Sequence, residues 1–376
     1  MLRASHTPSL AAFALMSLLL AALMPTAFAD LSRLRLPEGF SIRILSAEAP
    51  DARQMALSAD GTLFVGTRRH GDVYAIPNAL TVQPPEVLTL ASGLKLPNGV
   101  ALDGVDLYVA EVNRILRFPN IQVWVDAGDK SQARYELVTD QLPDKTHHGW
   151  KYIKFGPDGQ LYVPVGAPCN ICLSEDPRFA ALLRMDPKTG GAAVYASGIR
   201  NTVGFAWHPA TEELWFSDNG RDRMGDDVPP EEINVASRPG QHFGYPFLHG
   251  SGILDPRFGD DAPNLEFTPP RLEIQAHAAA LGLDFHNHDQ FPPPYRGALF
   301  IAEHGSWNRS AKVGYRVSVV TFEDGEPRYA PFITGWLEGE RQWGRPVDVL
   351  AAPDGSLLVS DDQQGAIYQV TWNPSR

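Results

Sequence analysis

The chain has 376 residues, which is long for one ordinary core but within the range that repeat architectures reach as a single domain. Its 44 acidic residues outnumber its 32 basic ones, for a net charge of −12 at pH 7. This balance and the lack of any basic run argue against nucleic acid or an anionic membrane as a partner.

The N-terminus is typical of a secretory signal peptide. Arg3 precedes an apolar stretch over residues 10–24, and the small residues of Ala27-Phe28-Ala29 follow it. The stretch is shorter than the ~20 apolar residues that span a bilayer, so we predict no membrane anchor. The sequence therefore predicts a signal peptide at residues 1–29, cleaved near Ala29, and one periplasmic or secreted domain at residues 30–376.

An apolar segment, a tight turn and a second, aromatic-rich segment recur six times along the rest of the chain. The turns lie at Asp60, Asp103, Asp158, about Ala210, Asp289 and Asp354. Asp-Gly between apolar runs indicates a hairpin, because Gly takes the positive φ that the turn needs. The spacing fits propeller blades of roughly 40–50 residues with insertions. We therefore predict an all-β fold, a six-bladed β-propeller.

The two ends of the chain indicate how the ring closes. A predicted strand begins at Phe40, before the first inner hairpin, and the third strand of the last blade follows Gly365 near the C-terminus. If the N-terminal strand completes the last blade, the ring closes and loses its free edges.

The only two cysteines, Cys169 and Cys172, form a C-x-x-C motif. One pair cannot supply the four ligands of a structural zinc site, and Leu173 stands where haem attachment requires His. In an oxidising compartment, we predict a local disulfide.

Polar residues precede every predicted inner strand. Because the Asp-Gly turns end these strands on one face, the preceding residues lie on the opposite face, around the central channel. They are Gln54, Asn98, His147, His148, Arg200, Asn201, His277 and Arg345. Any one of them alone is more simply explained as a structural residue, but together they predict a site for a planar, anionic, oxygen-rich ligand.

Loops that leave the second strands reach the same face. One runs from Asp218 to Asp222 and continues into Glu231-Glu232, and another runs from Glu303 to Arg309 and on to Lys312. Carboxylates and loop carbonyls are the ligands that hard cations prefer, so the first loop predicts a cation site.

From about Leu36 to Trp372 the chain resembles the pyrroloquinoline quinone (PQQ)-dependent soluble sugar dehydrogenases, the glucose/sorbosone dehydrogenase family. The most specific segment is residues 147–163, HHGWKYIKFGPDGQLYV. The family places its catalytic His nine residues before the Pro of Gly-Pro-Asp. The resemblance therefore implies His148 as the catalytic residue, with His147 beside it as the alternative.

The resemblance also implies a cofactor site. Arg200 and Asn201 match an Arg-Asn motif that contacts the quinone, with Arg200 facing its reactive carbonyl oxygen. The other implied cofactor-binding residues are Lys312, Arg345, His147, Asn98 and His277. The family's calcium loop is similar to Ser217–Arg221, which implies that the carbonyls of Gly220 and Arg221 hold Ca²⁺ and that Glu232 belongs to the carboxylate motif that follows.

Three departures set this chain apart from the glucose enzymes. Val347 stands where a second arginine is expected, Tyr152 replaces an Arg, and Ala280 replaces a Pro. With the segment 303–309, EHGSWNR, these departures look more like the sorbosone dehydrogenase branch.

The implied reaction is oxidation of an aldose or sugar aldehyde, with hydride transfer to PQQ. His148 would act as general base, and Ca²⁺ and Arg200 would stabilise the developing oxyanion. Without a haem or flavin motif, electrons would leave to a separate acceptor, a quinone or cytochrome. Two alternatives stay open: a calcium-dependent propeller lactonase, and a non-catalytic sugar- or protein-binding propeller.

Overall fold

The computed structural model describes residues 30–128 and 131–374, so the predicted signal peptide lies outside the described residues. The first strands are β1 Phe40–Ser46, β2 Ala52–Leu57, β3 Leu63–Thr67, β4 Val73–Ile76, β5 Leu88–Ala91, β6 Gly99–Asp103, β7 Asp106–Ala110, β8 Ile115–Phe118, β9 Glu136–Thr139, β10 Lys154–Phe155, β11 Leu161–Val165, β12 Ala181–Met185, β13 Ala192–Ser197 and β14 Phe205–Trp207. The remaining strands are β15 Leu214–Asp218, β16 Glu231–Ala236, β17 Leu248–His249, β18 Ile253–Leu254, β19 Leu272–Ile274, β20 Ala280–His286, β21 Ala298–Glu303, β22 Arg316–Glu323, β23 Glu326–Ile333, β24 Leu337–Glu338, β25 Arg341–Gln342, β26 Pro346–Ala351, β27 Leu357–Asp361 and β28 Ala366–Trp372.

Helical structure is sparse in the described part of the chain. It consists of α1 Ile121–Asp126 and three 3₁₀ turns, Leu31–Arg33, Gly259–Asp261 and Pro293–Tyr295. None of these helices is long and apolar enough to cross a membrane.

Six four-stranded antiparallel sheets form the blades of a β-propeller, as predicted. Blades 1 to 3 are β2–β5, β6–β9 and β10–β13, and blade 5 is β20–β23. Blade 4 contains β14, β15, β16 and β19, because the small hairpin β17–β18 is inserted before its outer strand. A second inserted hairpin, β24–β25, precedes blade 6.

Blade 6 closes the ring in the predicted way. Its order is β1-β28-β27-β26, so the N-terminal strand supplies the outer edge of the last blade. Phe40 pairs with Trp372 and Ile42 with Val370. The inner strands β2 and β26 contact each other, which joins the first blade to the last.

Apolar side chains fill the space between neighbouring blades. Tyr152 and Tyr162 of blade 3, for example, are buried against Phe205 and Phe216 of blade 4. Burying one large apolar side chain contributes about 1.5–3 kcal/mol, so these layers hold the blades in a fixed relation. The loops at one end of the channel are fixed with them.

The Asp-Gly turns lie where the sequence predicts them. Gly61, Gly159 and Gly355 end the inner hairpins of blades 1, 3 and 6 with φ of +81°, +70° and +81°, values that favour Gly. Blade 5 differs, because residues 287–297 form a longer connection that contains the 3₁₀ turn Pro293–Tyr295. Its predicted turn at Asp289 is therefore a loop.

Candidate functional site

A cavity of about 240 Å³ lies at the end of the central channel opposite the Asp-Gly turns. It is near the lower limit of ligand pockets, which enclose about 300–1,000 Å³. Five blades contribute to its wall, mostly through loops that enter inner strands or leave second strands and also through strand residues such as Glu231 of β16. Of the predicted site residues, the cavity brings together His148, Arg200, Asn201, Gly220, His277 and Arg345.

His148 is held in one orientation. Its Nδ1–H donates to the carbonyl of Ala167 at 2.9 Å, so Nε2 carries the free lone pair. The residue has a φ of +48°, a strained value for a non-glycine residue. A Cβ on Gly166 would lie 2.5 Å from the His148 Cβ, so the glycine permits this close approach.

The imidazole of His148 is neutral. Burial, and next the nearby positive charge of Arg200, lower its pKa to about 2. A neutral ring with a fixed Nδ1–H can accept a proton only at Nε2, which is the protonation state that a general base needs.

We predict that the His148 ring does not titrate between pH 5 and pH 8 in the protein without added ligands. Its folded pKa lies below the ordinary value of about 6.5, so acidification to pH 5 leaves it uncharged. The His148 Cε1–H resonance, assigned by its loss in a His148→Ala variant, reports this in an NMR titration. A sigmoidal shift centred near pH 6.5 would contradict the prediction.

Arg200 is buried beside His148 and is almost fully hydrogen-bonded. Its Nε donates to the Asn170 carbonyl at 2.9 Å and Nη1 to the Asn219 carbonyl at 3.0 Å. Its Nη2 donates to Asn170 Oδ1 at 2.8 Å and to Asp222 Oδ2 at 3.2 Å. Of its five N–H groups, these bonds to described residues leave one, on Nη1, for the cavity that the side chain lines.

Two arginines on the cavity wall carry unsatisfied donors. Among the described residues, no acceptor lies within reach of the buried Nε of Arg68 or of Arg345. Arg68 also stacks on Trp150, with its guanidinium carbon 3.8 Å from the ring centre. Burial, and next Arg53, lower the pKa of Arg68 to about 10, so it stays charged at neutral pH. Unpaired buried donors on cations fit an anionic ligand.

A buried network orients Arg345. Its Nη2 donates to His304 Nδ1 at 2.9 Å, and His304 Nε2–H donates to the Asp362 carboxylate at 2.9 Å. Arg53 Nη1 donates to the same carboxylate at 2.9 Å. Burial lowers the pKa of His304 to about 4, which keeps this ring neutral and able to accept from Arg345.

Carboxylates also line the cavity wall. Glu231 and Asp222 line the cavity with Gly220. The two carboxylate oxygens of Glu231 accept from the backbone N–H groups of Gly220 at 2.9 Å and Ala279 at 3.1 Å. Burial raises the pKa of Glu231 to about 7, and a bound cation would favour its charged form.

Glu231, and not the predicted Glu232, lines this cavity. Both belong to β16, where successive side chains point to opposite faces. Glu232 does not line the cavity, and its carboxylate accepts from Asn234 and from the backbone N–H of Gly250. Burial and Asp218 raise the pKa of Glu232.

Five other predicted residues are not on the cavity wall, and one of them, Gln54, donates from Nε2 to the Ile153 carbonyl at 2.6 Å. Lys312 Nζ donates to the Glu340 carbonyl at 2.9 Å and to Gln342 Oε1 at 2.7 Å, so the hairpin β24–β25 binds it elsewhere. Asn98 is buried between Arg53 and the Lys151 carbonyl. His147 is exposed beside His148, and Arg221 forms an ion pair with Asp255.

His277, in contrast, is on the wall, and its Nε2–H donates to the Gly225 carbonyl at 2.8 Å. The cavity is also lined by three residues that the sequence-based prediction did not single out, Arg53, Arg68 and Trp150, and by Asp222, Glu231 and His304 from the two loops that it placed on this face. Arg68 directly follows β3, the second strand of blade 1, so it belongs to the same class of loop.

The wall therefore combines cations and carboxylates within one cavity. Arg68, Arg200 and Arg345 suit a ligand with several negative oxygens, whereas Glu231 and Asp222 suit a cation. Within residues 30–128 and 131–374, no group of three or more His, Cys, Asp or Glu side chains could hold a metal. A calcium ion here would therefore depend on backbone carbonyls, such as that of Gly220, and on ligand oxygens as well as the two carboxylates.

The cysteines form the predicted disulfide, Cys169–Cys172. It closes a turn in the loop between β11 and β12, next to Arg200.

Comparisons with known proteins show relatives over nearly the whole chain. An uncharacterized protein of Borreliella burgdorferi is 34% identical over 352 residues, which cover 90% of this chain and 91% of that protein. A family model described as TrAA12-like matches residues 253–373.

Solved structures share the fold. A calcium structure of a Trichoderma reesei protein of Carbohydrate-Active Enzymes Family AA12 has a TM-score of 0.73 at 20% identity, covering 90% of this chain and 97% of that one. The holo form of the pyranose dehydrogenase PQQ domain from Coprinopsis cinerea has a TM-score of 0.72 at 17% identity, covering 90% and 97%. The PQQ-bound aldose sugar dehydrogenase from Streptomyces coelicolor has a TM-score of 0.62 at 20% identity, covering 90% and 99%.

Proposed function

We propose that this chain, which belongs to one protein family with the uncharacterized protein of Borreliella burgdorferi, is a PQQ-dependent oxidoreductase of sugars. One observation carries the proposal: a neutral, oriented His148 shares a cavity with cations that have unsatisfied donors and with two carboxylates. The fold shared with a pyranose dehydrogenase PQQ domain and a PQQ-bound aldose sugar dehydrogenase supports it. The segment 303–309 supports the sorbosone branch, with an aldose or sugar aldehyde as substrate.

The chain's own residues would hold the quinone by its negative oxygens. Arg68 and Arg345 each offer a buried Nε–H that has no partner among the described residues, and Arg200 offers its remaining Nη1–H. Asn201 and His277 complete the polar lining. Arg68 thus takes the place of the second arginine that is missing at Val347, which is buried against Val203 and Leu281.

Gly220, Asp222 and Glu231 would hold a calcium ion, with two carboxylates and a backbone carbonyl as donors. The calcium structure of the Trichoderma reesei protein supports this choice of metal.

In the proposed reaction, His148 removes the proton from the sugar hydroxyl at Nε2, while Ala167 keeps the ring in place through Nδ1–H. PQQ, when bound, supplies the hydride acceptor. Arg200 supplies a fixed positive charge where negative oxygen develops. Trp307, which is 73% exposed at the cavity wall, offers an aromatic ring to the apolar face of a sugar.

Residues 1–29 are proposed as a cleaved export signal, and the Cys169–Cys172 disulfide suits the oxidising periplasm or exterior that this signal would reach. Electrons would pass to a separate acceptor, a quinone or cytochrome.

Reconstitution tests the proposed function. Purified protein receives PQQ and CaCl₂, and sugar-dependent reduction of a dye is followed across aldoses and sugar aldehydes. We expect dye reduction that requires both additions. Failure to bind PQQ in the presence of Ca²⁺ would overturn the proposal, and lactone hydrolysis without PQQ would favour a calcium-dependent lactonase.

We predict that Glu231→Gln lowers Ca²⁺ affinity about 10- to 100-fold, because it removes a charged oxygen donor from the cavity wall. Glu232→Gln is the matched control, since it neutralises the adjacent buried carboxylate on the other face of β16. Isothermal titration calorimetry with CaCl₂ measures both. Equal losses in the two variants would contradict the assignment of Glu231.

A further inference from the structure

The loop between β11 and β12 contacts both His148 and Arg200. Ala167 accepts from His148 Nδ1 at 2.9 Å, and its own N–H donates to the Arg200 carbonyl at 2.8 Å. Three residues further on, Asn170 lies inside the turn that the Cys169–Cys172 disulfide closes. One loop therefore joins the proposed base to the arginine that the proposed reaction places where negative oxygen develops.

Asn170 binds the Arg200 guanidinium at two points. Its backbone carbonyl accepts from Nε at 2.9 Å and its Oδ1 from Nη2 at 2.8 Å. Two acceptors from one residue, placed on the Nε and Nη2 side, fix both the position and the plane of a guanidinium. The remaining Nη1–H can then point in only one direction.

The same side chain also binds the backbone of Asp222, whose carboxylate lines the cavity. Asn170 Oδ1 accepts from the backbone N–H of Asp222 at 2.9 Å, and Nδ2 donates to the Asp222 carbonyl at 3.2 Å. Asp222 in turn accepts from Arg200 Nη2 at 3.2 Å. Asn170, Arg200 and Asp222 therefore form a closed triangle of hydrogen bonds.

The turn that carries Asn170 is fixed at both ends. The disulfide joins Cys169 to Cys172, whose Cα atoms are 6.2 Å apart, and the N–H of Cys172 donates to the buried Tyr245 hydroxyl at 3.0 Å. Without the crosslink, the half-exposed turn could adopt other conformations in which one of the two Asn170 acceptors leaves Arg200.

We propose that Asn170, held by the Cys169–Cys172 disulfide, is a positioning residue for Arg200. Its effect on turnover rests on the proposed function, whereas its effect on the Arg200 side chain does not. Asn170 acts through Arg200, and the disulfide acts through Asn170.

NMR of arginine Nε–H groups tests the positioning without any cofactor. The Arg200 resonance is assigned by its loss in Arg200→Lys, and the buried Nε–H of Arg53, which donates to Asn98 Oδ1 at 2.8 Å, is an internal control. We expect Asn170→Ala and the double variant Cys169→Ser/Cys172→Ser to shift or broaden the Arg200 resonance while the Arg53 resonance stays. An unchanged Arg200 resonance in Asn170→Ala would overturn the proposal, whatever the activity.

Kinetics of the PQQ- and Ca²⁺-loaded protein test the consequence for turnover. We expect Asn170→Ala to lower kcat about 10- to 100-fold with little change in the KM for sugar, because a misplaced group costs turnover more than binding. Asn170→Asp keeps the acceptor oxygen, so its kcat should fall less than that of Asn170→Ala. Asn113→Ala, at a half-buried asparagine whose side chain binds the Asp140 carbonyl, is the control for an ordinary loop substitution.

A double-mutant cycle separates positioning from general stability. In the Arg200→Lys background, Asn170→Ala should lower kcat little further, because Arg200, the residue through which Asn170 acts, has already been replaced. Full additivity, or an unchanged kcat in Asn170→Ala, would overturn the catalytic part of the proposal. A wild-type protein inactive with PQQ would instead overturn the proposed function, and the NMR result would still decide whether Asn170 positions Arg200.

Discussion

The His148→Ala variant is expected to oxidise sugar about 100- to 10,000-fold more slowly than the wild-type protein, the range that removal of a positioned general base produces. The proposed base needs no change of protonation state before substrate binds, because Nδ1–H is bound to Ala167 and the ring is neutral. The slower oxidation should appear as a lower kcat. PQQ binding, measured by quenching of tryptophan fluorescence, should stay close to the wild-type value.

His147→Ala provides the matched comparison for this prediction. The two rings are adjacent, with centroids 4.1 Å apart, but His147 is exposed and lies outside the cavity wall. We expect His147→Ala to retain most of the activity. If His147→Ala lost more activity than His148→Ala, the assignment of the base would be reversed.

The repeated turns were sufficient to predict the fold and the face that carries the cavity. Gly takes the positive φ that a tight turn needs, so Gly61, Gly159 and Gly355 indicate the ends of inner strands without any tertiary information. Once the blade order is known, the residues that precede each inner strand must lie at the end of the channel opposite the Asp-Gly turns. His148, Arg200, Asn201, His277 and Arg345 line the cavity for this reason.

The cavity lining differs from the sequence-based prediction where one residue of register or one distant contact decides which side chain faces the cavity. Glu231 and Glu232 are chemically identical neighbours, and only the pleat of β16 decides which one faces the cavity. Lys312 matches a local pattern, but the inserted hairpin β24–β25 binds its ammonium group. A local sequence pattern cannot show that residues 28 and 30 positions further along the chain bind the lysine side chain.

Arg68 was missed for a related reason. Arg68 follows β3 in blade 1. Its proposed role in binding PQQ depends on Trp150 of blade 3, because its guanidinium stacks on that ring at 3.8 Å. A contact between two loops far apart in sequence exists only after the ring has closed. From the sequence alone, the absence of an arginine at position 347 therefore did not indicate which residue would replace it in the proposed PQQ site.

Replacement of Arg68 gives the second large effect that we expect. Arg68→Met should weaken PQQ binding about 10- to 100-fold, because it removes a charged donor whose hydrogen bond to a carboxylate contributes about 1.5–3 kcal/mol. Methionine keeps much of the apolar stem against Trp150, so the loss should come from the charge and the N–H groups. Fluorescence titration with PQQ in saturating Ca²⁺ measures the change.

Arg69→Met is the control, because Arg69 is the next residue and is exposed outside the cavity wall. Both variants remove one positive charge from the same loop, so a long-range electrostatic effect would weaken binding equally in both and would diminish with added salt. A direct contact predicts a large loss for Arg68→Met alone, with most of it retained at high salt. Equal losses in the two variants would mean that a residue other than Arg68 binds the PQQ carboxylate that an arginine at position 347 would hold.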